Sequence, residues 1–332
     1  MKKKVTILLV ITAVFLLWVL WDVDTHEAQQ AIRGSNPFWI AMMFAGYLLS
    51  HLLRSLRLWI LLNYAAPYMR VFSINTVGFL AINVMPMRLG EAVRPYLLME
   101  REGVPFGQGL AAIFMERLLD MMMLLGMLFG MSFLIQLPEG GLIIAGISVV
   151  SAGQKAAGGL VVLGSTGILG LVFLGEYIFQ LLSRFQLLHA PIEIGRKFRL
   201  ALLDLFSKPL RAFLLLVLSV VVWLLTIFAV MMALWAFEDL PHGFDAAWSC
   251  WTITLAGMTA IPTPGFFGVY ELCCSAALSL WGVSTSLSKT FALCLHFGQL
   301  IFISVLGSIF MLKEGLSLHV FHRSKEGLEK QS

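Results

Sequence analysis

Seven ionisable residues lie in or beside strongly apolar segments of this sequence. They are Arg88, Glu91, Arg94, Glu116, Arg117, Asp120 and Glu271. A charged side chain at the centre of a membrane helix costs about 2.5 to 3.5 kcal/mol on insertion scales, so such residues are usually functional. Arginines suit the binding of a phosphate or another anion. The acids would balance that charge or bind an amine on the same ligand.

The spacing of these residues predicts which side chains share a surface. Glu91 and Arg94 are three positions apart, and Glu116 and Asp120 are four apart, so each pair lies on one helical face. Two interpretations follow. The charges line a polar cavity that binds a ligand, or the acids and arginines only neutralise one another as structural ion pairs.

Four other polar residues in apolar surroundings also have two interpretations. His296 is a membrane group that could titrate near neutral pH, so it is a candidate for proton coupling, or it is simply hydrogen-bonded in place. His51, Arg54 and Arg57 lie near the end of the second apolar segment. We expect them to extend along the helix to the membrane interface.

The elements that carry these residues are membrane helices. The chain is 59% hydrophobic and only 13% charged, about half the charged fraction of ordinary soluble domains, which is ~25%. Eight apolar segments are long enough to enter a bilayer. They lie near 5–21, 37–62, 71–99, 108–135, 158–182, 211–237, 245–280 and 289–312. The composition therefore predicts an all-α, polytopic integral membrane protein.

The distribution of charge predicts the topology. Basic residues cluster at 2–4, 54–70 and 184–211, whereas 22–27 and 238–245 are mainly acidic. Under the positive-inside rule the basic clusters and both termini are cytoplasmic. That assignment fails if 71–99 or 245–280 crosses once. We therefore expect about six full crossings and two re-entrant hairpins, the latter at 71–99 and 245–280. A crossing by the short apolar stretch within 139–160 would undermine this topology.

The two proline-broken segments resemble each other. Each has a proline, a glycine and then a glutamate, and the predicted break residues are Pro86, Gly90, Pro262, Pro264, Gly265 and Gly268. Pro86 suits the first turn of a half-helix, whose free N–H groups beside Arg88 would bind an anion. We predict two copies of helix, broken hairpin and helix, at 37–135 and 211–312, in inverted orientation. Transporters with this pattern bind substrate at the repeat interface.

These segments form one predicted domain, 1–320, in which 183–210 is a cytoplasmic basic segment and 321–332 a cytoplasmic tail. The sequence contains no P-loop, HExxH, nucleophile elbow or dinucleotide fingerprint. The four cysteines fall in apolar segments without metal-ligand spacing, which favours core packing. We expect no cofactor, no metal and no nucleic-acid partner.

Three ordered motifs resemble those of the flippase-like transmembrane family, which shares its fold with the membrane region of lysylphosphatidylglycerol synthases. The first comprises Asn83, Pro86, Arg88, Gly90, Glu91 and Arg94. The second comprises Glu116, Arg117 and Asp120, and the third Pro262, Pro264, Gly265, Gly268 and Glu271. Two positions depart from the family pattern, since Phe266 replaces an expected glycine and His296 lies where an arginine is usual.

The resemblance implies a bacterial or archaeal inner-membrane protein that moves lipids between leaflets, without aminoacyl transfer. Its lipid would be a phospholipid, an aminoacyl-phospholipid, an isoprenoid or hopanoid lipid, or a polyprenyl-phosphate carrier. We predict a non-enzymatic lipid flippase whose head-group site comprises Asn83 and the seven charged residues. The alternatives are a lipid-binding partner that regulates a lipid enzyme, and an intramembrane enzyme using Glu116 and Asp120. Substrate, direction, energy source and assembly, including a homodimer, stay open.

Overall fold

The computed structural model describes most of the chain, and its helices carry almost all of the structure. The described residues are 23–84, 90–134, 143–144, 147–184, 192, 195–196, 199–200, 203–204, 207–261 and 263–315. The predicted first helix at 5–21, the tail at 321–332 and the predicted residues Pro86, Arg88 and Pro262 lie outside them.

Ten α-helices form within this part of the chain. They are α1 (Thr25–Gly34), α2 (Pro37–Leu61), α3 (Tyr68–Val84), α4 (Val93–Glu102), α5 (Phe106–Leu134), α6 (Val149–Leu182), α7 (Pro209–Trp235), α8 (Phe244–Ala260), α9 (Val269–Ser279) and α10 (Thr285–Lys313). A short antiparallel pair, β1 (Ile143–Ile144) and β2 (Ile147–Ser148), precedes α6. A 3₁₀ turn at Pro264–Phe266 separates α8 from α9.

Local sequence determines where several helices begin. The side chains of Asp24, Asn36 and Ser284 accept backbone N–H groups at the starts of α1, α2 and α10, which satisfies donors that have no intrahelical partner. Pro37 occupies the first turn of α2, where its missing N–H removes no helical hydrogen bond. Gly103 ends α4 in the left-handed conformation, with φ +67°.

Three of the described helices are long and apolar enough to cross a membrane, namely α2, α7 and α10. The protein is therefore a multi-pass membrane protein. The segment within 139–160 does not form a helix of its own among the described residues, because 149–160 is the first part of the 34-residue helix α6.

Helices α3 and α4 form a pair in which the start of α3 lies beside the end of α4. At those ends Arg70 Nε donates to Glu102 Oε1 over 2.7 Å. At the inner end, Gly90 lies directly against the backbone of α3 at Ala81 and Ile82. Any side chain at residue 90 would overlap that backbone, so the glycine permits the close return of the chain.

Helices α8 and α9 form a second pair of the same kind. Near its outer end Trp281 Nε1 donates to Ser249 Oγ over 2.8 Å, and nearer the break Gly257 leaves room for the Cys273 thiol. The break of this pair meets the end of α3, since Gly265 lies next to the backbone carbonyl of Asn83.

The two pairs open toward opposite ends of the long helices. At one end, which we call the acidic end (residues 24–36, 236–245 and 280–287), Ser284 Oγ donates to Glu27 Oε1 over 3.0 Å. The N–H of Asn36 donates to the carbonyl of Ala236 there over 2.8 Å. The α8–α9 pair opens at this end. The α3–α4 pair opens at the opposite end, where Arg70 also contacts Glu314 over 2.5 Å.

Candidate functional site

A network of arginines and carboxylates joins helices α2, α4 and α5. Arg57 Nη2 donates to Asp120 Oδ1 over 2.8 Å, and Arg94 Nη1 donates to Glu116 Oε1 over 3.1 Å. Arg117 contacts both acids, Glu116 at 2.6 Å and Asp120 at 3.2 Å. Arg54 approaches Asp120 at 4.0 Å. Four arginines thus share two carboxylates in this network, and Glu91 lies near enough to act electrostatically on Arg117, so the formal charge of the group including Glu91 is +1.

The sequence prediction for Arg57 was wrong. Its side chain does not extend to the interface but is fully buried, where it bonds Asp120 and, over 3.0 Å, Ser219 Oγ. His51 is buried too, and its Nε2 lies 2.9 Å from Thr76 Oγ1. The acids of α5 hold Arg57 inside because an unpaired carboxylate in the membrane would cost more than burying the pair.

A cavity of about 390 Å³ borders this network, within the usual range for small-ligand sites of roughly 300 to 1,000 Å³. It lies between the helices of 37–135 and those of 211–312. Five predicted site residues line it. They are Asn83, Glu91, Arg117, Asp120 and His296. That a substrate binds there, between the two predicted repeats, stays a prediction.

Three other predicted residues lie behind the cavity wall, each fully buried. They are Arg94, Glu116 and Glu271. Arg94 Nη1 also donates to Asn75 Oδ1 over 3.1 Å, and its aliphatic chain crosses Gly78, where a side chain would overlap it. Their predicted part in substrate binding stays a prediction, and the contacts indicate that they position residues that line the cavity.

Glu271 and His296 form a second polar pair on the other side of the cavity. Their Oε1 and Nδ1 atoms are 2.6 Å apart. The other carboxylate oxygen of Glu271 accepts the N–H of Gly268 over 2.6 Å, which caps α9. The Tyr270 ring stacks on His296 with centroids 4.2 Å apart. His296 is thus held in place, and proton coupling stays a prediction.

The break before α9 has an unusual backbone. Gly265, Phe266 and Gly268 have φ of +59°, +60° and +83°. Only glycine adopts this region without steric cost. Phe267 has an ordinary φ of −55°. Gly265 and Gly268 thus permit the turn, while Phe266 adopts it against its own preference.

The comparison with protein families identifies the chain. The model described as "Lysylphosphatidylglycerol synthase TM region" matches residues 5–307. The chain belongs to this family. No curated protein and no solved structure matches the chain.

Membership in the lysylphosphatidylglycerol synthase TM region family agrees with the resemblance carried by the three sequence motifs, and it relates the protein to lipid handling. Phe266 departs from the expected motif at a position whose φ suits glycine. His296, where an arginine was expected, nevertheless pairs with Glu271.

The sequence did not reveal two parts of the site. One part comes from α2, and the other comes from aromatic residues of α7, α8 and α9. Arg54 and Arg57 have no acidic neighbours in sequence, whereas 116–120 carries two acids. That difference could have indicated that the arginines of α2 pair with the acids of α5. Cavity-lining Trp223, Trp251 and Tyr270 gave no signal, because aromatic residues are common in any membrane helix. Among the described residues, no group of three His, Cys, Asp or Glu side chains could hold a metal ion.

Proposed function

We propose that this protein is an inner-membrane lipid flippase that moves an anionic lipid head group between leaflets through the cavity. The observation that carries the proposal is the excess of arginine on the side of the cavity formed by α2, α4 and α5, where four arginines face three carboxylates, namely Glu116, Asp120 and Glu91. Excess positive charge at a membrane site attracts an anion such as a phosphodiester. The acyl chains stay in the bilayer while the head group crosses the polar interior.

The paired short helices support a mechanism. We interpret α3–α4 and α8–α9 as re-entrant hairpins of an inverted repeat, because they open at opposite ends and the break before α9 contacts the end of α3. A break in the membrane needs protein around it, and the described contacts between Gly265 and Asn83 provide it. Rocking of one repeat against the other would expose the cavity to each leaflet in turn.

The exposure of the network arginines indicates which of them a substrate contacts first. Arg117 is the network arginine with the most exposed side chain, at 31%. A phosphate that approaches from the cavity therefore meets Arg117 first. Asp120 and Glu116 hold that guanidinium in position without neutralising the whole network.

Reconstitution tests this proposal. The purified protein is inserted into phosphatidylcholine liposomes with a fluorescent phosphatidylglycerol, and a membrane-impermeant reductant reports the fraction of probe that changes leaflet. We expect faster exchange than in empty liposomes, with Arg117→Gln slower by about tenfold, as for the loss of one charge-assisted bond. Arg196→Gln is the matched control, because Arg196 pairs with Glu176 away from the cavity lining.

Three results would contradict the proposal. If liposomes with the folded protein exchange several anionic lipids no faster than empty liposomes, the protein is not a flippase for them. Binding without exchange would instead favour a lipid-binding partner of a lipid enzyme. Chemical change of the extracted lipid, detected by mass spectrometry, would favour an intramembrane enzyme and overturn the non-enzymatic proposal.

A further inference from the structure

The carboxylates near the arginine network are of two kinds. Glu116 and Asp120 each lie within 4.0 Å of three network arginines. Glu91 lines the cavity, yet among the described residues it forms no ion pair with an arginine, lysine or histidine. It is still near enough to Arg117 to act on the charge of that residue. Within the described structure, Glu91 thus balances charge in the cavity without a direct ion pair.

The backbone before Glu91 holds this residue at the cavity. Gly90 lies against the backbone of α3 at Ala81 and Ile82, which fixes the chain immediately before Glu91. A glutamate side chain has several rotatable bonds, and it keeps more of its rotamer freedom when no ion pair orders it. The carboxylate can therefore approach or leave Arg117 while its backbone stays in place.

Arg117 offers one particular part of its guanidinium to the cavity. Its Nη2 makes the ion pairs with both acids of α5, at 2.6 Å to Glu116 and 3.2 Å to Asp120, and its Nε is buried. The side chain is nevertheless 31% exposed and lines the cavity. Nη1 is therefore the atom available to a phosphate, and a phosphate bound there shares the cavity with the Glu91 carboxylate.

The charge of this group changes when a phosphate binds. Four arginines and three carboxylates, including Glu91, have a formal charge of +1, so one phosphodiester brings the group to zero. Without the charge of Glu91 the empty group would carry +2. A guanidinium that is enclosed without a balancing charge is costly in a membrane interior. Glu91 reduces this cost in the empty cavity, and it repels the phosphate in the occupied one.

The surroundings of Glu91 disfavour an amine of the head group as its partner. Arg54 and Arg117 line the same cavity, and the group to which they belong carries a net positive charge. An ammonium beside Glu91 would be repelled by these arginines. The arginines attract an anion instead, which leaves the Glu91 carboxylate to respond to that anion.

We propose that Glu91 takes the place of the lipid phosphate beside Arg117 when the protein is empty. Its carboxylate approaches Arg117 when the phosphate leaves, and it moves away when the next phosphate enters. This inference rests on the proposed function, because it assigns an anionic head group to Arg117. Glu91 thus weakens substrate binding, but it permits the empty cavity to close and return to the first leaflet.

Binding of a soluble lipid tests the effect of Glu91 on affinity. The protein in phosphatidylcholine nanodiscs is titrated by calorimetry with short-chain phosphatidylglycerol. We expect Glu91→Gln, which removes the charge but keeps the size of the side chain, to bind this lipid about three- to tenfold more tightly. Glu91→Asp keeps the charge and should bind more like the unsubstituted protein. Glu176→Gln is the matched control, because Glu176 pairs with Arg196 outside the cavity lining.

Lipid exchange tests the return of the empty protein. In phosphatidylcholine liposomes with a trace of fluorescent phosphatidylglycerol most protein molecules return empty, whereas unlabelled phosphatidylglycerol in both leaflets lets them return loaded. We expect Glu91→Gln to exchange the probe more slowly than the unsubstituted protein in the first liposomes, by about threefold or more. The two rates should become similar when unlabelled phosphatidylglycerol is present. Thermal unfolding verifies that each variant is folded, and Glu91→Ala is a second variant without the charge.

The outcomes separate this inference from the proposed function. Equal or weaker binding of phosphatidylglycerol by folded Glu91→Gln and Glu91→Ala would overturn the role of Glu91. A ratio of exchange rates that unlabelled phosphatidylglycerol leaves unchanged would overturn it too, because the empty return would then not limit the variant. Tighter binding of phosphatidylethanolamine than of phosphatidylglycerol, lost in Glu91→Gln, would assign Glu91 to an amine instead. If the unsubstituted protein binds no anionic lipid, the proposed function itself fails.

Discussion

Arg57 of α2 and Asp120 of α5 are 63 positions apart in sequence, yet Arg57 Nη2 lies 2.8 Å from Asp120 Oδ1 in a part of the protein where Arg57 is fully buried. The pair joins two helices of the predicted first repeat, 37–135. Because both partners are ionisable and lie in apolar surroundings, each depends on the other for its place in the membrane.

We expect Asp120→Asn to destabilise the protein strongly. The substitution leaves Arg57 with a weaker acceptor, and breaking a buried pair typically costs about 3 to 5 kcal/mol. Thermal unfolding in detergent measures the effect. Lys208→Gln is the control, since it breaks the exposed pair of Lys208 with Asp204, and should change stability by less than about 1 kcal/mol. Equal effects of the two substitutions would contradict a buried role for Asp120.

The contact of Gly78 with Arg94 predicts a second effect. Gly78→Ala places a methyl group where the Arg94 side chain lies, so the guanidinium must move away from Glu116. We expect a lower unfolding temperature and weaker binding of anionic lipid. Gly126→Ala is the matched control, because that helical glycine has open space around it. Alanine there should be tolerated or slightly stabilising. Similar behaviour of the two variants would mean that Arg94 does not depend on Gly78.

The backbone at Phe266 predicts an asymmetry between neighbouring phenylalanines. A non-glycine residue in the left-handed region bears a cost of roughly 1 to 2 kcal/mol, which Phe266→Gly removes. Phe267→Gly, at φ −55°, relieves no such cost and loses ring contacts with His296 and Phe297. We expect Phe266→Gly to lower the free energy of unfolding less than Phe267→Gly does. The opposite order, measured by thermal or chemical unfolding, would argue against backbone cost at Phe266.

Proton coupling through His296 is testable by a substitution that fixes the charge. In His296→Arg the side chain stays cationic beside Glu271, whereas a histidine can gain and lose a proton near neutral pH. We expect an imposed pH gradient across liposomes to change the lipid exchange rate of the unsubstituted protein but not of this variant. Arg196→Gln should respond like the unsubstituted protein. An identical gradient response in the folded arginine variant would exclude His296 as the proton carrier.

The topology predicts which positions a membrane-impermeant thiol reagent can reach together. Single cysteines at Gly103 and Ser207 should label from the cytoplasmic side, and cysteines at His242 and Ser286 from the outer side. The unsubstituted protein measures labelling of its own four cysteines. Labelling of Gly103 and Ser207 from different faces of the membrane would disprove the hairpin arrangement.

The helical class and the two broken pairs were predictable because composition, charge and proline positions are local properties of the sequence. The similarity of 37–135 and 211–312 predicted a site between them, and the role of the cavity there stays a prediction. The pairing of Arg57 was not predictable from the local pattern, since a basic residue near a helix end usually extends to the interface. Only the three-dimensional approach of α2 and α5 brings an acid to it.

The second half of the site was less accessible from sequence. Glu271 was recognised as an unusual acid, but its partner among the polar residues of α10 depended on how α9 and α10 pack. Likewise, Trp223, Trp251 and Tyr270 line one cavity only because α7, α8 and α9 pack together.

The contact of Arg70 with Glu102 and Glu314 has a consequence for movement. Arg70 forms ion pairs with Glu102 at the end of α4 and with Glu314 at the end of α10. We call this ion-pair cluster the clasp, because it joins 37–135 to 211–312 at the end of the molecule where α3 begins. The Arg70 side chain is 40% exposed, so dissolved ions screen the clasp, while they reach the buried network far less. The ionic strength of the compartment at that end would therefore set how readily the protein opens toward it.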